Sequence, residues 1–358
     1  TQGNMAEFSE LWMLGMVLAA FAGGAFGSAL GALPAFIFTG FLVMAGETAS
    51  ILSGDLLQVI STGADLSNSN SITSALGFGP VFGPHISFAA GAAASAYSAK
   101  KGYMDTDFPY HEAKNIAYAQ GPKPDVLFVG GLFGILGYWI TTISSTLSLP
   151  WDPIAIAVVL SAVVHRVAFG YLLVGDAEAG LLNMSPFENE EKRVIGDAAV
   201  EHGDKQERFT VEPWLPHQFK WGDVGMLGFV VGILAAFITY KTGSVFLPFG
   251  ISAASLLFLN CGVANIPVTH HISLVASTAM VAATGGEFAQ SSLFSMLLIG
   301  GIFGVFSGLC GELIQRIFYS HSDTHLDPPA AAIVIGTLLI AVLAMTGLFA
   351  SSAWVPMP

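Results

Sequence analysis

A histidine followed by isoleucine and serine occurs twice, each time ahead of an unusually slender apolar segment. Residues 83–96 read GPHISFAAGAAASA, and residues 269–282 read THHISLVASTAMVA. A helix that begins at such a sequence presents free backbone N–H groups and the positive end of its dipole beside imidazole and hydroxyl groups. That combination suits a small polar or anionic solute. We therefore expect a solute pathway that includes His85, Ser87, His271 and Ser273.

A simpler interpretation of these two segments stays open. Alanine, glycine and serine allow neighbouring helices to approach closely in a membrane, so the small residues could serve packing alone. The histidines would then lie at the level of the lipid headgroups.

One basic dipeptide lies inside an apolar run. His165 and Arg166 occur in IAIAVVLSAVVHRVAFGYLLVG, which predicts a position near the centre of a membrane helix. A charged side chain there should face the protein interior and mark a pathway or a buried ion pair. Glu47 is the best candidate for a partner of Arg166 or for a coupling-ion site. Glu312 and Arg316 are four residues apart, so we expect them to pair with each other.

Two glycine pairs interrupt apolar segments. VGGLFG at residues 129–134 recurs as IGGIFG at residues 299–304. No strand precedes either motif, so they are not phosphate loops. We predict close helix packing or hinges at Gly130, Gly131, Gly300 and Gly301.

These motifs belong to a longer duplication. Leu33-Pro34 recurs as Leu247-Pro248, and Asp152-Pro153 recurs as Asp327-Pro328, in the same order as the His-Ile-Ser and glycine motifs. Each aspartate followed by proline is typical of a helix N-cap. Matches that keep their order while the loop lengths differ indicate a duplicated unit of five hydrophobic segments.

The composition places these segments in a lipid bilayer. The 358 residues are 53% hydrophobic and only 10% charged, whereas soluble domains carry about 25% charged residues. The fold class we predict is an all-α polytopic membrane protein with about ten transmembrane helices in two five-helix repeats. The predicted segments are 10–30, 32–46, 84–99, 125–147 and 151–175, then 224–242, 245–261, 270–285, 290–318 and 328–350.

An odd number of crossings in each repeat gives an inverted arrangement, which is typical of transporters. Lysine and arginine then gather on one side, and the positive-inside rule places both termini outside. If the two His-led segments were re-entrant, each repeat would cross four times and the repeats would be parallel. We favour ten crossings, because a mid-membrane end of segment 84–99 would leave Lys100 and Lys101 in hydrocarbon.

Three regions follow from these segments. Residues 1–175 form the first transmembrane repeat, residues 176–223 an acidic water-exposed loop, and residues 224–358 the second repeat. The stretch 176–212 carries ten acidic residues against Lys192, Arg193, Lys205 and Arg208. Nothing in it resembles a basic nucleic-acid footprint, so we expect no nucleic-acid partner.

The function we predict is a channel or secondary transporter for a small polar or anionic solute, binding near the membrane midplane where the repeats meet. A non-transporting scaffold that packs through small-residue faces, or a membrane-embedded enzyme, remains an alternative. Enzyme motifs are missing, so we expect no enzyme, no cofactor and no metal site. The expected partners are the lipid bilayer, a solute or ion, and further copies of the chain, in a prokaryotic cytoplasmic membrane.

Overall fold

The computed structural model describes residues 8–59, 72–178, 180–194 and 207–358, without the side chains of residues 55–59. The first helix set comprises α1 (Leu14–Leu30), α2 (Ala32–Val59), α3 (Ser87–Lys100), α4 (Pro124–Thr146) and α5 (Pro153–Phe169). The second helix set comprises α7 (Trp221–Thr242), α8 (Leu247–Asn260), α9 (His270–Thr284), α10 (Leu293–Phe318) and α11 (Pro328–Met345). The fold is thus helical, as predicted.

The segment between the two sets contains a short helix, α6 (Ser185–Glu188), and two strands, β1 (Lys192–Val194) and β2 (Glu207–Phe209). The strands pair antiparallel, with Arg193 opposite Arg208. An all-α chain was the prediction, so this small ladder is an addition to it. The segment is also not wholly exposed to water, because Arg208 and Glu212 are buried.

Among the described residues, five helices are long and apolar enough to cross a membrane: Ala32–Gly54 within α2, Pro124–Thr146, Trp221–Thr242, Leu293–Phe318 and Pro328–Met345. Their length and composition indicate a membrane protein. Three shorter apolar helices, Leu14–Leu30, Pro153–Phe169 and Leu247–Asn260, accompany them.

The same pairs of helices pack together in both sets. α1 contacts α3 and α4, as α7 contacts α9 and α10. α5 contacts α3 and α4, as α11 contacts α9 and α10. The two sets meet where α2 packs against α8 and α5 packs against α11.

Glycine allows the closest of these packings. A Cβ on Gly24 of α1 would come within 2.7 Å of the Gly134 Cα of α4. A Cβ on Gly304 of α10 would come within 2.8 Å of the Gly232 Cα of α7. At these crossings backbone touches backbone, so no larger side chain fits without moving a helix.

Both aspartate caps form as predicted. The Asp152 carboxylate accepts hydrogen bonds from the backbone N–H groups of Ile154 and Ala155 at the start of α5. The Asp327 carboxylate accepts one from the backbone N–H of Ala330 at the start of α11. Each cap satisfies N–H groups that would otherwise have no intrahelical partner.

Candidate functional site

A cavity of about 560 Å³ lies where the two helix sets meet. Its wall includes equivalent positions from both sets, among them Val158 of α5 and Ile333 of α11, and Phe88 of α3 and Leu274 of α9. This volume falls within the range of cavities that hold small organic ligands.

Aromatic rings form much of the cavity wall. The Phe36 ring lies 5.7 Å from the Phe88 ring and 5.9 Å from the Phe249 ring, measured between centroids. The Phe246 ring lies between those of Phe78 and Trp354, with centroid distances of 5.3 Å to each. These tilted and edge-to-face contacts are the favourable arrangements for aromatic pairs, so the wall is both apolar and well ordered.

Two carboxylates interrupt the apolar wall. Asp152 and Asp327 both line the cavity and are more than nine-tenths buried. The Asp152 backbone N–H donates to the Thr337 hydroxyl over 2.9 Å, which fixes the start of α5 beside the middle of α11. Asp327 lies near Ala162, in the middle of α5, where both border a small second gap between the helices. Each helix therefore begins beside the middle of the other.

Two imidazoles accompany Asp327. The His325 Nε2 lies 3.1 Å from the Asp327 Oδ1. The His270 ring lies 4.6 Å from the Phe36 ring and also lines the cavity. The His270 Nδ1 is buried and has no hydrogen-bond partner among the described residues. Five other histidine Nδ1 atoms among the described residues are buried without a partner as well, and the Nδ1 of His270 differs from most of them in belonging to a residue that lines the cavity, where a ligand or a water would satisfy it.

The four predicted pathway residues all lie at the starts of α3 and α9, but none lines the cavity. Ser87 donates to the Phe82 carbonyl over 3.3 Å, and Ser273 donates to the His270 carbonyl over 3.1 Å. The His271 carbonyl accepts from the Ser307 hydroxyl over 3.0 Å. A Cβ on Gly137 would collide with the His85 carbonyl, so His85 lies against α4.

Adjacent residues line the cavity instead: Pro84, Phe88, His270 and Leu274. Successive residues of a helix point about 100° apart, so a shift of one position carries a side chain from the cavity to a helix interface. The segments were identifiable from the sequence, whereas the face that each presents to the cavity was not.

Arg166 is not at the centre of a helix, which corrects the position predicted from the apolar run. α5 ends at Phe169 because Gly170 adopts a left-handed conformation with φ of 73°. Arg166 therefore belongs to the last turn, and its guanidinium reaches the loop after α10. It donates to the Thr324 hydroxyl over 2.9 Å, to the Ser322 hydroxyl over 2.7 Å, and to the Phe318, Leu173 and Thr324 carbonyls.

His165 belongs to the same network, since its Nε2 lies 2.9 Å from the Thr324 Oγ1. Both side chains are fully buried, and neither lines the cavity. The network holds the end of α5 in the first set to the α10–α11 connection in the second.

Glu47 does not contact Arg166. Its carboxylate accepts hydrogen bonds from the Thr73 hydroxyl over 2.7 Å and from the Ser244 hydroxyl over 2.6 Å. Ser244 precedes α8, so Glu47 joins the two helix sets through hydroxyl groups. The predicted pair of Glu312 and Arg316 is confirmed, with a distance of 2.6 Å between Oε1 and Nε.

The glycine pairs lie inside the helix sets. Gly130 and Gly300 face the backbones of α1 and α7, through Gly24 and Gly232 respectively. The second glycine of each pair, Gly131 or Gly301, lies beneath a phenylalanine ring, which is Phe21 in α1 and Phe229 in α7. Both pairs therefore serve close packing within a set.

Loop residues beside the cavity form buried ion pairs. The Lys114 ammonium lies 2.8 Å from the Glu212 carboxylate and 4.5 Å from the centre of the Tyr319 ring. Arg208 contacts Glu212 and Asp323, each over 2.6 Å. Lys114 and Tyr319 both line the cavity, so the network forms part of its wall.

The opposite charges within this network stabilise one another's ionised forms. Burial lowers the pKa of Lys114 to about 8, although the Glu212 carboxylate attracts its proton. Burial alone would raise the pKa of Glu212, but Lys114 and Arg208 lower it. Burial likewise opposes ionisation of Asp323, yet the attraction of Arg208 lowers its pKa to about 2. The network therefore consists of charged pairs at neutral pH.

Within the part of the chain that the structure describes, no group of three or more His, Cys, Asp or Glu side chains has the geometry to hold a metal ion. The donor set along the cavity thus consists of separate carboxylates and imidazoles.

Comparison with known proteins gives a family and no nearer relative. Neither a curated protein nor a solved structure matches the chain. A family model described as a family of unknown function (DUF7973) matches residues 6–358. The match covers nearly the whole sequence, and the chain belongs to the DUF7973 family.

Proposed function

We propose that this protein is a multi-pass transporter or channel that moves a small solute through the cavity between two oppositely oriented five-helix halves. The observation that carries the proposal is the position of the cavity. It lies on the interface between the two helix sets, and equivalent residues from both sets line it. Transporters with inverted repeats bind their solutes at this place.

The packing of α2 against α8 supports an inverted repeat. A Cβ on Gly40 would come within 2.8 Å of the Ala253 backbone and also touch Ala254, whereas Gly250 faces Val43 and Met44. The two helices are therefore antiparallel. When Leu33-Pro34 is aligned with Leu247-Pro248, Gly40 is equivalent to Ala254. Contact between equivalent positions of antiparallel helices is expected at a twofold axis perpendicular to them, that is, in the membrane plane.

The packing of α5 against α11 supports the same axis. Asp152 lies beside Thr337, and Asp327 lies near Ala162. When the two Asp-Pro motifs are aligned, Thr337 is equivalent to Ala162. The two contacts thus join equivalent positions of the two halves, as expected for a twofold relation between them.

Ten crossings require that helices too short to span the membrane alone are completed by the adjoining chain. α3 has 14 residues, about 21 Å, which is too short for a membrane core of about 30 Å. The chain before α3 runs beside α2, where the Thr39 hydroxyl donates to the Phe82 carbonyl over 2.5 Å. An irregular half followed by a helical half completes a crossing, and transporters use such broken helices where protein covers the backbone.

The cavity wall favours a neutral or cationic solute with an apolar body over an anion. Asp152 and Asp327 contribute carboxylates, while Arg166 lies outside and the Lys114 ammonium is paired with Glu212. Aromatic faces attract cations as well as apolar groups. The described part of the wall therefore offers an anion no positive charge that is not already paired.

The positive-inside rule supports an orientation for the proposed crossings. If all ten helices cross, Lys100, Lys101 and Lys123 lie on the same membrane face as the segment between the helix sets, and Lys241 lies on the opposite face. The basic face is cytoplasmic under this rule, with both termini outside. A prokaryotic cytoplasmic membrane stays our prediction for the location.

Thiol accessibility tests the proposal without knowledge of the solute. In a background with Cys261→Ser and Cys310→Ser, the variants Ala155→Cys and Ala330→Cys place one thiol on the cavity wall of each half. Ala157→Cys and Ala332→Cys are matched controls on the same helices, buried and away from the cavity.

We expect a membrane-impermeant methanethiosulfonate reagent to modify both cavity thiols from either face of oriented vesicles, and to leave both controls unmodified. Modification from one face alone would contradict a conducting path. Absence of modification at both cavity positions would favour a scaffold with a closed, dry interior.

A further inference from the structure

We propose that His270 and the Asp327–His325 pair form a proton-binding site on the cavity wall, and that proton binding there favours the open cavity. The inference rests on the proposed transport function and names its coupling ion. The pathway motifs predicted from the sequence do not combine His270, His325 and Asp327.

The first argument is a departure from the repeat. Asp327 has an equivalent in the other half, Asp152, but the two histidines do not. With the His-Ile-Ser and Asp-Pro motifs aligned, the equivalents of His270 and His325 are Pro84 and Pro150. Pro84 lines the same cavity and Pro150 does not, so the fold does not require imidazoles at these positions.

The second argument is the hydrogen bonding of the three side chains. His325 Nε2 lies 3.1 Å from Asp327 Oδ1, while Asp327 Oδ2 accepts from the Ala330 N–H over 2.9 Å. His270 borders the same cavity with ring contacts to Phe36 and Phe249, and its Nδ1 has no hydrogen-bond partner in the described residues. The His270 Nδ1 on the wall is therefore without a partner, and the His325 Nε2 is paired with the Asp327 carboxylate.

The third argument identifies the ion. Sodium and other hard cations bind to several oxygen atoms, and imidazole nitrogen is a poor ligand for them. Both Asp327 oxygens are already engaged, and the described residues contain no set of three metal ligands. Imidazole exchanges protons near neutral pH more readily than any other side chain. The chemistry of the site thus selects a proton.

The charged and titratable groups around the site are compatible with an added proton. On α5, the His165 and Arg166 side chains both contact the Thr324 hydroxyl, next to His325 in the chain. Asp152 lies further along the cavity wall. His271 stacks edge-on against His270, and the Tyr319 ring lies 5.3 Å from the His325 ring. Helices α2, α3 and α8 contribute apolar residues and Asn260 to the wall, and the Lys114 ammonium is neutralised by Glu212.

Solvation links the proton to the conformation. A charged imidazolium is unfavourable in a closed apolar cavity and much less so in one filled with water. The open state therefore binds the proton more tightly, and by linkage the proton shifts the population toward the open state. Acidification should open the cavity, and its closure should expel the proton.

The pH dependence of cavity labelling tests this proposal. The labelling rate of Ala330→Cys is divided by the labelling rate of Cys261, measured in a separate protein that keeps this exposed native cysteine. The division corrects for the pH dependence of thiol ionisation. We expect this ratio to rise about fivefold between about pH 8 and about pH 5.5. The double variant His270→Gln and His325→Gln should abolish the rise, whereas His271→Gln, one position away from the wall, should retain it. A ratio independent of pH, or a rise that survives the double variant, would overturn the proposal.

A second measurement separates this site from the transport function. If the cavity thiols do not react at any pH, the proposed function fails, and nitrogen NMR of protein labelled at the histidine rings decides the proton site directly. Ring signals that titrate between about pH 5 and about pH 8 should disappear in the double variant and persist in His271→Gln. Titrating signals that are all unaffected by the double variant would contradict proton binding at His270 and His325.

Discussion

At the scale of single residues, burial and hydrogen bonding separate two kinds of polar side chain in this protein. Arg166 is buried with every donor group directed at loop oxygens, so its charge holds one half to the other. His270 is buried beside the cavity without any such partner among the described residues. The sequence showed both as polar residues in apolar surroundings, and only the neighbours brought in by the fold distinguish them.

The first prediction concerns Arg166. Arg166→Ala should lower the free energy of unfolding by about 3–5 kcal/mol, because buried carbonyl and hydroxyl oxygens would lose their donors. Arg193→Ala is the matched control, since it breaks a partly exposed pair with Asp176 and should cost less than about 1 kcal/mol. Thermal unfolding of the purified variants in detergent measures both. Equal melting temperatures for the two variants would contradict the role given to Arg166.

The second prediction concerns Asp323 and pH. The pKa of Asp323 is about 2 in the folded protein, below the value of about 3.9 in an unfolded chain. Its contribution to stability is therefore present above about pH 4 and is lost as the pH falls toward about 2. Asp323→Asn should melt at a lower temperature than the native protein at pH 7, and the difference should narrow below about pH 4. A difference that stays constant down to about pH 3 would show that ionisation of Asp323 is not involved.

At the scale of helices, the sequence predicted most of the bounds but not the lengths of α2 and α5, since α2 was predicted to end at residue 46 and extends to Val59. Proline and aspartate mark the starts of α5 and α11, and these signals act within one turn. The apolar run after Arg166 continues to residue 175, so hydropathy alone did not show that α5 ends before Gly170. The irregular chain before α3 and α9 was equally hidden, because its backbone is held by distant residues: Thr39 of α2 before α3, and His217 and Gln218 before α9.

The third prediction concerns α7, which carries glycines in two environments. A Cβ on Gly232 would collide with Gly300 of α10, whereas nothing lies within 4 Å of a Cβ on Gly225. Gly232→Ala should destabilise the protein by about 2 kcal/mol or more, by forcing the helices apart. Gly225→Ala should be neutral or stabilise the helix by up to about 1 kcal/mol.

Thermal unfolding and the yield of monodisperse protein in detergent would measure the two glycine variants side by side. The opposite order of stability would mean that α7 and α10 are not packed through Gly232.

At the scale of the whole molecule, the sequence motifs predicted two related sets of helices but not the surface between them. Leu33-Pro34, the glycine pairs and the Asp-Pro motifs each recur in order, which is enough to suggest duplication. The cavity wall depends on which face of each helix meets the other set, and small apolar residues on every face leave no clear period. Phe36, Phe249 and His270 consequently became identifiable as cavity residues only in three dimensions.

The most direct test of two opposed halves around a transport cavity is an electron cryo-microscopy map of the protein in lipid nanodiscs at side-chain resolution. We predict that residues 14–169 superpose on residues 221–345 after rotation about an axis in the membrane plane, with density for solvent or solute between Phe36, Phe88 and His270. Halves related by an axis along the membrane normal, or a tightly packed interface without a cavity, would contradict the account.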